Sequence, residues 1–215
     1  MKKYFLTVIV VVVLTANYTQ AQITFGVHTG LNLSTMSSKL EGKKSEVSDH
    51  IKYKSSFQIG VIGEKTINEK FAGQLCVLFN TQGWEFNIKE QDHKSATNLN
   101  YIQIRVNPMY KFDIDKLVLF FQVAPYIGYA LSGKSKIETI IDGITDKYDR
   151  KIEFGNEFGK MKIWDFGIGL GTGVQFDNIQ IGLCYNRGFA NLSNTEKVSE
   201  KINGFALTIS YMLNK

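Results

Sequence analysis

The stretch WDFGIGLGTGVQF at residues 164–176 decides the fold. Bulky apolar side chains, with one threonine among them, alternate along it with glycine, aspartate and glutamine. Successive side chains of a β-strand point to opposite faces. This period of two therefore predicts a strand with one bulky apolar face and one small or polar face.

The same alternation recurs in seven other segments, at residues 23–33, 57–61, 71–80, 102–107, 121–130, 179–186 and 205–211. Three connections between successive segments are short, near residues 68–69, 113–115 and 177–178. The other four are long and polar, at residues 34–55, 83–97, 132–161 and 190–201. Short turns at one end and long loops at the other are typical of an up-and-down outer-membrane barrel.

The size of the side chains indicates which face points outwards. An eight-stranded barrel has an interior just wide enough to be filled by side chains, so the small and polar face fits inside and the bulky face fits against lipid. We predict an all-β fold: an eight-stranded antiparallel up-and-down transmembrane β-barrel with short periplasmic turns and four long external loops. A soluble lipocalin-like barrel, with the faces reversed, is the alternative. The mean hydropathy of −0.11 excludes a bundle of membrane helices.

The first 21 residues have the pattern of a secretory signal peptide. Two lysines precede a short apolar run, and Thr19 and Ala21 are the small residues that a signal peptidase selects. The run is too short to span a bilayer as a helix. We therefore expect export to the outer membrane and a barrel domain over residues 22–215. Without Lys2 and Lys3 the formal charge falls from +5 to +3, which gives no support to a nucleic-acid partner.

Aromatic residues are predicted to form a belt at each end of the barrel. Those near the turn end are Phe71, Tyr110, Phe112, Phe176 and Tyr211, and those near the loop end are Phe57, Phe79, Tyr129, Trp164 and Phe205. Membrane interfaces select such rings, so the two belts mark the predicted bilayer.

Several segments resemble a known family. GVHTGLNLS at 26–34, YIQIRVNPMYKF at 101–112, APYIGYALSG at 124–133, the opening stretch and NRGFANLS at 186–193 are similar to the PorT-like outer-membrane β-barrel domain of Bacteroidetes, a small barrel of the OmpA/OmpX kind. The resemblance covers nearly the whole chain after residue 21. It implies the fold and the outer membrane, and it leaves open an accessory role in type IX secretion. It carries no catalytic residues.

Three charged residues take the inward phase of their strands: Glu64, Arg105 and Asp165. A charge inside a barrel has to be paired, so we expect Arg105 to bond one or both acids as a structural plug. A gate is the alternative, although eight strands leave no open aqueous pore.

Cys76 and Cys184 also take the inward phase, on the third and seventh predicted strands. These strands lie opposite each other in a ring of eight. A disulfide needs Cα atoms within about 7 Å, whereas such a barrel is roughly 15 Å across. We predict two free lumenal thiols. Pro108 and Pro125 interrupt strands that flank one turn, and we expect β-bulges to accommodate them.

Candidates for chemistry are few. His28 takes the inward phase, and Ser34, Asp165 and Ser210 would complete a hydrolase or acyltransferase site, but no nucleophile-elbow pattern accompanies them. We therefore predict that the protein is not an enzyme. His50 and His93 lie in separate loops, and we expect neither a metal site nor a cofactor.

The long loops are the remaining functional candidate. The first is rich in lysine, at positions 39, 43, 44, 52 and 54, and the third contains Ile137, Ile140, Ile141 and Ile144, which are expected to extend two strands as a hairpin. We predict a monomeric, non-enzymatic barrel whose external loops serve interaction or envelope integrity. The expected partners are outer-membrane lipid, lipopolysaccharide and envelope or secretion proteins. A rim-active lipid-modifying enzyme is a further alternative.

Overall fold

The computed structural model describes residues 23–44, 50–88, 93–141 and 144–213. The predicted signal peptide at residues 1–21 lies outside them. The described residues form β1 (Ile23–Leu40), β2 (Lys43–Lys44), β3 (Ile51–Thr66), β4 (Phe71–Ile88), β5 (His93–Ile114), β6 (Leu117–Ile141), β7 (Ile144–Ile152), β8 (Trp164–Phe176), β9 (Ile179–Gly188) and β10 (Val198–Met212). None of them forms a helix long and apolar enough to cross a membrane.

Eight of these strands close into a ring. Its order is β1, β3, β4, β5, β6, β8, β9 and β10, and β10 pairs back onto β1. Every neighbouring pair is antiparallel. The short β2 and the outer β7 are additions to this ring. The predicted eight-stranded up-and-down barrel is therefore confirmed.

Three tight connections lie at one end of the barrel, as expected. Asp115 and Asp177 begin two of them with φ angles of 51° and 47°, a left-handed conformation that aspartate tolerates better than most residues. In the third, the Asn68 side chain accepts hydrogen bonds from the backbone N–H groups of Lys70 and Phe71. Short polar side chains thus fix the turns that set the strand pairing.

The bulky apolar face of each barrel strand points outwards. Phe166, Leu170 and Leu183 are 50%, 60% and 51% exposed, whereas the lumenal Gln58 and Gln103 are completely buried. Monomeric soluble proteins rarely expose so continuous an apolar surface, because water makes it unfavourable. The soluble lipocalin-like alternative, which requires the opposite arrangement, is therefore wrong.

Pro108 and Pro125 do not lie at β-bulges, which corrects the sequence expectation. The pairing of β5 with β6 is interrupted at residues 106–108 and 123–125 and resumes in the same register on the other side. The ladders on the far sides of these two strands run through both prolines without a break. Both missing N–H groups thus face the β5–β6 pairing, and one interruption of that ladder accommodates both prolines.

The long connections contain more strand than the sequence pattern predicts. The predicted loop at residues 83–97 is mostly ladder, because β4 continues to Ile88 and pairs with β5 from His93 onwards. The predicted hairpin after the fifth barrel strand is present as the outer part of β6 paired with β7. The outer end of the molecule is therefore built largely of β-sheet.

Candidate functional site: the filled lumen and the external sheet

The outer wall carries aromatic rings at two heights. At the turn end Phe71 contacts Tyr110, which contacts Phe112, with ring centroids 4.9 and 4.5 Å apart. At the loop end the ring pairs are Phe57 with Phe79, Tyr129 with Trp164, and Tyr185 with Phe205. The remaining predicted belt residues, Phe176 and Tyr211, are about half exposed at the turn end.

The spacing of these belts fits a bilayer. Phe71 and Phe79 lie eight residues apart on β4, and Trp164 and Phe176 lie twelve apart on β8. At about 3.3 Å per residue and a tilt of roughly 40°, these separations correspond to about 20 and 30 Å along the barrel axis. The two values bracket the apolar band of roughly 25 Å that outer-membrane barrels present to lipid.

The lower lumen is filled by a polar network around Glu64. The Lys111 ammonium forms an ion pair with one carboxylate oxygen of Glu64. The amides of Gln74 and Gln180 donate to the other oxygen at 2.8 Å each, and Lys111 also donates to Gln175 at 3.2 Å. Glu64 is 5% exposed, so a neighbouring cation and two amide side chains take the place of its hydration.

Arg105 occupies the middle of the lumen with neutral partners. Its Nε donates to Gln103 at 2.9 Å, one terminal nitrogen donates to Asn186 at 2.7 Å, and its guanidinium lies 5.4 Å from the centre of the Tyr126 ring. Among the described residues no ion pair joins Arg105 to Glu64 or Asp165. The three predicted charges thus share the lumen without forming the expected direct pairs.

Asp165 lies at the upper end of the lumen and is completely buried. Neither carboxylate oxygen makes a hydrogen bond of ordinary geometry within the described part of the chain, and the same holds for the hydroxyl of the buried Tyr101. Asp165 opposes Gly128 on β6 in the strand ladder. Tyr126 is the polar side chain nearest its carboxyl group, and the charge of Arg105 acts on it from the middle of the lumen.

Cys76 and Cys184 are free and buried in the lumen. They lie on β4 and β9, four strands apart in the ring. Cys76 receives a hydrogen bond from Asn107, with the nitrogen and sulfur atoms 3.5 Å apart, and Cys184 lies 3.5 Å from the side-chain oxygen of Asn186. Both thiols belong to the polar filling of the barrel.

His28 and Ser210 meet inside the lumen, but the described residues place no carboxylate against the His28 ring. The Nδ1 atom of His28 lies 2.8 Å from the Ser210 hydroxyl, and the Gln58 amide nitrogen lies 3.1 Å from Nε2. Both ring nitrogens thus contact neutral side chains, and no carboxylate of the described residues contacts the ring, so the acid member of a hydrolase triad is missing. Ser34, a third candidate, bonds the backbone of Gly83 instead.

An apolar cluster closes the outer mouth of the barrel. We call it the outer cap; its buried members are Leu99, Tyr101, Ala130, Ala190, Leu192 and Ile202. Trp84, Ile152, Phe154, Met161 and Ile163 pack against it from the long connections. The sequence reasoning missed this cluster, because Leu192 and Met161 lie in irregular segments without a period of two.

The loop that follows β7 and the loop between β9 and β10 are joined above this cap. The backbone N–H of Lys162 donates to Leu192 at 2.9 Å, and the side chain of Asn194 donates to the carbonyls of Gly155 and Lys160 at 2.7 and 2.9 Å. An open pocket of about 470 Å³ with a polar lining that includes Ser193 lies beside them. The outer end is thus closed by an apolar cap and a hydrogen-bonded loop pair.

Four strands continue above the outer belt as one sheet. This external sheet consists of residues 83–88 of β4, 93–99 of β5, 133–141 of β6 and all of β7. On one side β3 covers the edge of β4 through residues 51–53. On the other side β7 pairs only with β6 among the described strands, so its second edge is free. The outer part of β6 alone spans about 30 Å at 3.3 Å per residue.

Opposite charges alternate across the external sheet. Lys147 bonds Glu138 at 2.8 Å, and Lys134 bonds Asp149 at 2.5 Å. The Lys147 ammonium holds the pKa of the Glu138 carboxyl below its usual value, and Lys94 and Lys136 add to that effect. All of these pairs are exposed, so they fix the pairing register more than they add stability.

The two loop histidines do not meet. His50 packs its ring against Phe86 with centroids 6.1 Å apart, and the side chain of His93 lies outside the described residues. Within the described ranges no cluster of three metal-ligating side chains is present.

A closed antiparallel barrel with an apolar outer wall, two aromatic belts and a filled interior is the architecture of small outer-membrane barrels. The family model described as outer membrane protein beta-barrel domain matches residues 18–194. The chain belongs to this family. No curated protein is significantly similar to it in sequence.

Two solved structures are similar to the chain at low identity. The attachment invasion locus protein Ail of Yersinia pestis, solved with the heparin analogue sucrose octasulfate, is 14% identical, with 89% of this chain and 99% of that chain covered and a TM-score of 0.40. Neisserial surface protein A is 12% identical, with the same coverage and a TM-score of 0.46. The family assignment rests on the family model alone.

Proposed function

We propose that the protein is a non-enzymatic anchor in the outer membrane, exported by a signal peptide at residues 1–21, that presents its external sheet for recognition at the cell surface. One observation carries the proposal. The lumen is filled from the Glu64 network to the outer cap, while β4 to β7 continue as ordered sheet beyond the outer belt. A molecule with a blocked interior and an extended exterior acts through its exterior.

The filling argues against transport. Buried amides, the Arg105 guanidinium and the outer cap occupy successive levels of the lumen. Moving a solute through would break several buried hydrogen bonds and expose apolar side chains to water. The His28 and Ser210 pair gives no support to an enzyme, because no carboxylate of the described residues contacts the imidazole.

The charge of the external sheet supports a role at an anionic surface. Lys94, Lys134, Lys136 and Lys147 share one face of this sheet with Glu138 and Asp149, so bases outnumber acids on it. Lipopolysaccharide phosphates lie at the height of the outer rim, and lysines near a membrane surface are attracted to such groups. A secretion-accessory role, as in PorT-like barrels of Bacteroidetes, would use the same surface.

Planar bilayers and whole cells test the proposal together. The full-length protein, reconstituted and checked by heat-modifiable migration on gels, is expected to give no steady conductance. In cells, the lysines of the external sheet are expected to react with a membrane-impermeant amine reagent, whereas the buried Lys111 is protected. Steady channels, or labelling of Lys111 with a protected external sheet, would contradict the proposal.

A further inference from the structure

The free edge of β7 has an unusual charge order. Its residues run Asp146, Lys147, Tyr148, Asp149, Arg150, and all five are exposed. Exposed edge strands are normally protected by charged side chains, prolines, bulges or a covering segment, since their unpaired N–H and C=O groups invite another strand. Here each acid has a base on the opposite side of Tyr148 at the same distance along the strand.

This order makes β7 complementary to itself. If two copies pair antiparallel with Tyr148 opposite Tyr148, Asp146 of each lies opposite Arg150 of the other, and Lys147 lies opposite Asp149. The strand ends then place Ile144 opposite Ile152. Opposite charges across a strand pair stabilise it, whereas like charges destabilise it.

Neighbouring registers lose this match. A shift of two residues in one direction places Lys147 opposite Lys147, and a shift in the other direction places Asp149 opposite Asp149. Antiparallel strands can shift only in steps of two if their hydrogen-bonding edges are to stay matched. The charge order therefore selects one register.

The match continues the pattern of the sheet itself. Along one row Lys94 opposes Glu138, which opposes Lys147. Pairing of two copies adds Asp149 and then Lys136 of the second copy to this row. Positive and negative side chains thus alternate across the joint without a break.

The direction of β7 determines how the two molecules are arranged. The parent strand β6 runs as one strand from the barrel to Ile141, and barrel strands tilt by about 35–45° from the membrane normal. If two copies lay in one membrane, the two-fold axis that relates them would be parallel to the membrane normal. Their β7 strands would then cross each other at roughly twice the tilt angle, and strands that cross so steeply do not form a ladder. A two-fold axis parallel to the membrane plane gives antiparallel strands and two membranes that face each other.

We propose that β7 joins two copies of this protein across facing outer membranes, through one antiparallel ladder centred on Tyr148. The inference rests on the proposed function, because it needs an anchored barrel with an exposed sheet, and it names a second copy of the chain as the partner. The monomer expected from the closed barrel remains the state within one membrane.

Vesicle docking with exchanged charges tests this pairing. The protein is reconstituted into two vesicle populations, one with donor-labelled and one with acceptor-labelled lipid. Protease cleavage of β7 verifies that the long-loop end faces outwards. Wild-type vesicles are expected to dock. Asp146→Arg vesicles alone and Arg150→Asp vesicles alone are expected to dock at least about tenfold more slowly, because each places two like charges at the joint.

A mixture of the two variants is the decisive arm. When one population carries Asp146→Arg and the other Arg150→Asp, both pairs again join opposite charges, one with reversed polarity and one as in the wild type, and docking is expected to return. Glu196→Arg, an acid-to-arginine change at an exposed position in another loop at the same end, serves as the matched control and is expected to dock like wild type. Variants that dock like wild type, or a mixture that fails to dock, would overturn the proposal.

A cysteine at the symmetry centre tests the register. Directly opposed residues in an antiparallel pair have Cα atoms about 4.5–5.5 Å apart, which permits a disulfide. Tyr148→Cys is expected to form dimers in docked vesicles, whereas Lys147→Cys is not. Dimers of Tyr148→Cys that form equally within undocked vesicles would refute the facing-membrane arrangement. In the same vesicles, heat-modifiable migration shows whether the barrel is folded, and dye retention shows whether its lumen is blocked. A failure of the proposed function is therefore distinguished from a failure of the β7 pairing.

Discussion

At the scale of single residues, the inner wall of this barrel behaves as a protein core and the outer wall as a lipid-facing surface. Alternation along the strands is enough to predict that Glu64, Arg105 and Asp165 face inwards. It does not predict which residues they contact, because contacts depend on the position of each side chain along the barrel axis. That position is set by the tilt and stagger of the strands. Lys111 lies six residues after Arg105 on β5, so alternation places its side chain in the lumen as well. That placement is the one sequence signal for its ion pair with Glu64.

Removal of the lysine from the buried ion pair is expected to destabilise the barrel strongly. Lys111→Met leaves the Glu64 carboxylate in the lumen without a cation, which costs about 3–5 kcal/mol. Urea unfolding in detergent micelles measures the loss. The double variant Glu64→Gln with Lys111→Met is expected to recover most of it. Lys134→Met, which breaks an exposed pair, is expected to change stability by less than about 1 kcal/mol.

A methyl group at Gly173 is expected to destabilise the lower lumen. A Cβ there would overlap the carbonyl oxygen of Ile181 and the ring of Phe120, and it would lie 2.9 Å from the Cα of Gly182. Backbone atoms of a barrel strand cannot move aside cheaply, so Gly173→Ala is expected to cost about 1–3 kcal/mol. The control is Gly73→Ala, where a Cβ meets nothing within 4 Å. Equal stability of the two variants would refute this reading of the packing.

At the scale of elements, the strands are longer than the hydrophobic pattern predicts. Above the outer belt both faces of a strand meet water or loops, so the apolar alternation that reveals a strand disappears. The segment at residues 83–97 therefore looks like a loop in the sequence although β4 and β5 pair through it. The positions of the two prolines predict that strand pairing is interrupted. They do not predict that both prolines interrupt the same ladder, that between β5 and β6.

The hairpin of β6 and β7 is expected to loosen in acid. Lys147 holds the pKa of Glu138 below its usual value, so the folded hairpin stabilises the charged carboxylate. This contribution is present above the pKa of the unfolded chain and is lost as the pH falls through the folded value. Hydrogen exchange of β7 amides, corrected for intrinsic rates, is expected to quicken between about pH 6 and pH 3 relative to that of β9 amides.

The variant Glu138→Gln provides the control for this effect. Without a titrating group at position 138, the exchange of β7 amides is expected to depend less on pH than in the wild type. An identical response of the two proteins would show that another group controls the hairpin.

At the scale of the whole molecule, side-chain size alone predicts which face of the barrel wall points outwards. Glycines and amides fit inside eight strands, and bulky rings do not. The sequence pattern does not predict that the outer cap closes the mouth of the barrel. Leu99, Leu192 and Ile202 come together from three distant segments, and no local pattern marks their meeting.

The two tryptophans allow the most direct test of the central claim, that the bulky face meets lipid while the interior is filled. Trp164 is 52% exposed in the loop-end belt, and Trp84 packs against the outer cap. Variants Trp84→Phe and Trp164→Phe leave one fluorophore each. In bilayers of brominated lipid we expect strong quenching of Trp164 and little quenching of Trp84. Equal quenching of both, or a Trp164 that brominated lipid does not quench, would contradict a lipid-facing wall around a filled interior.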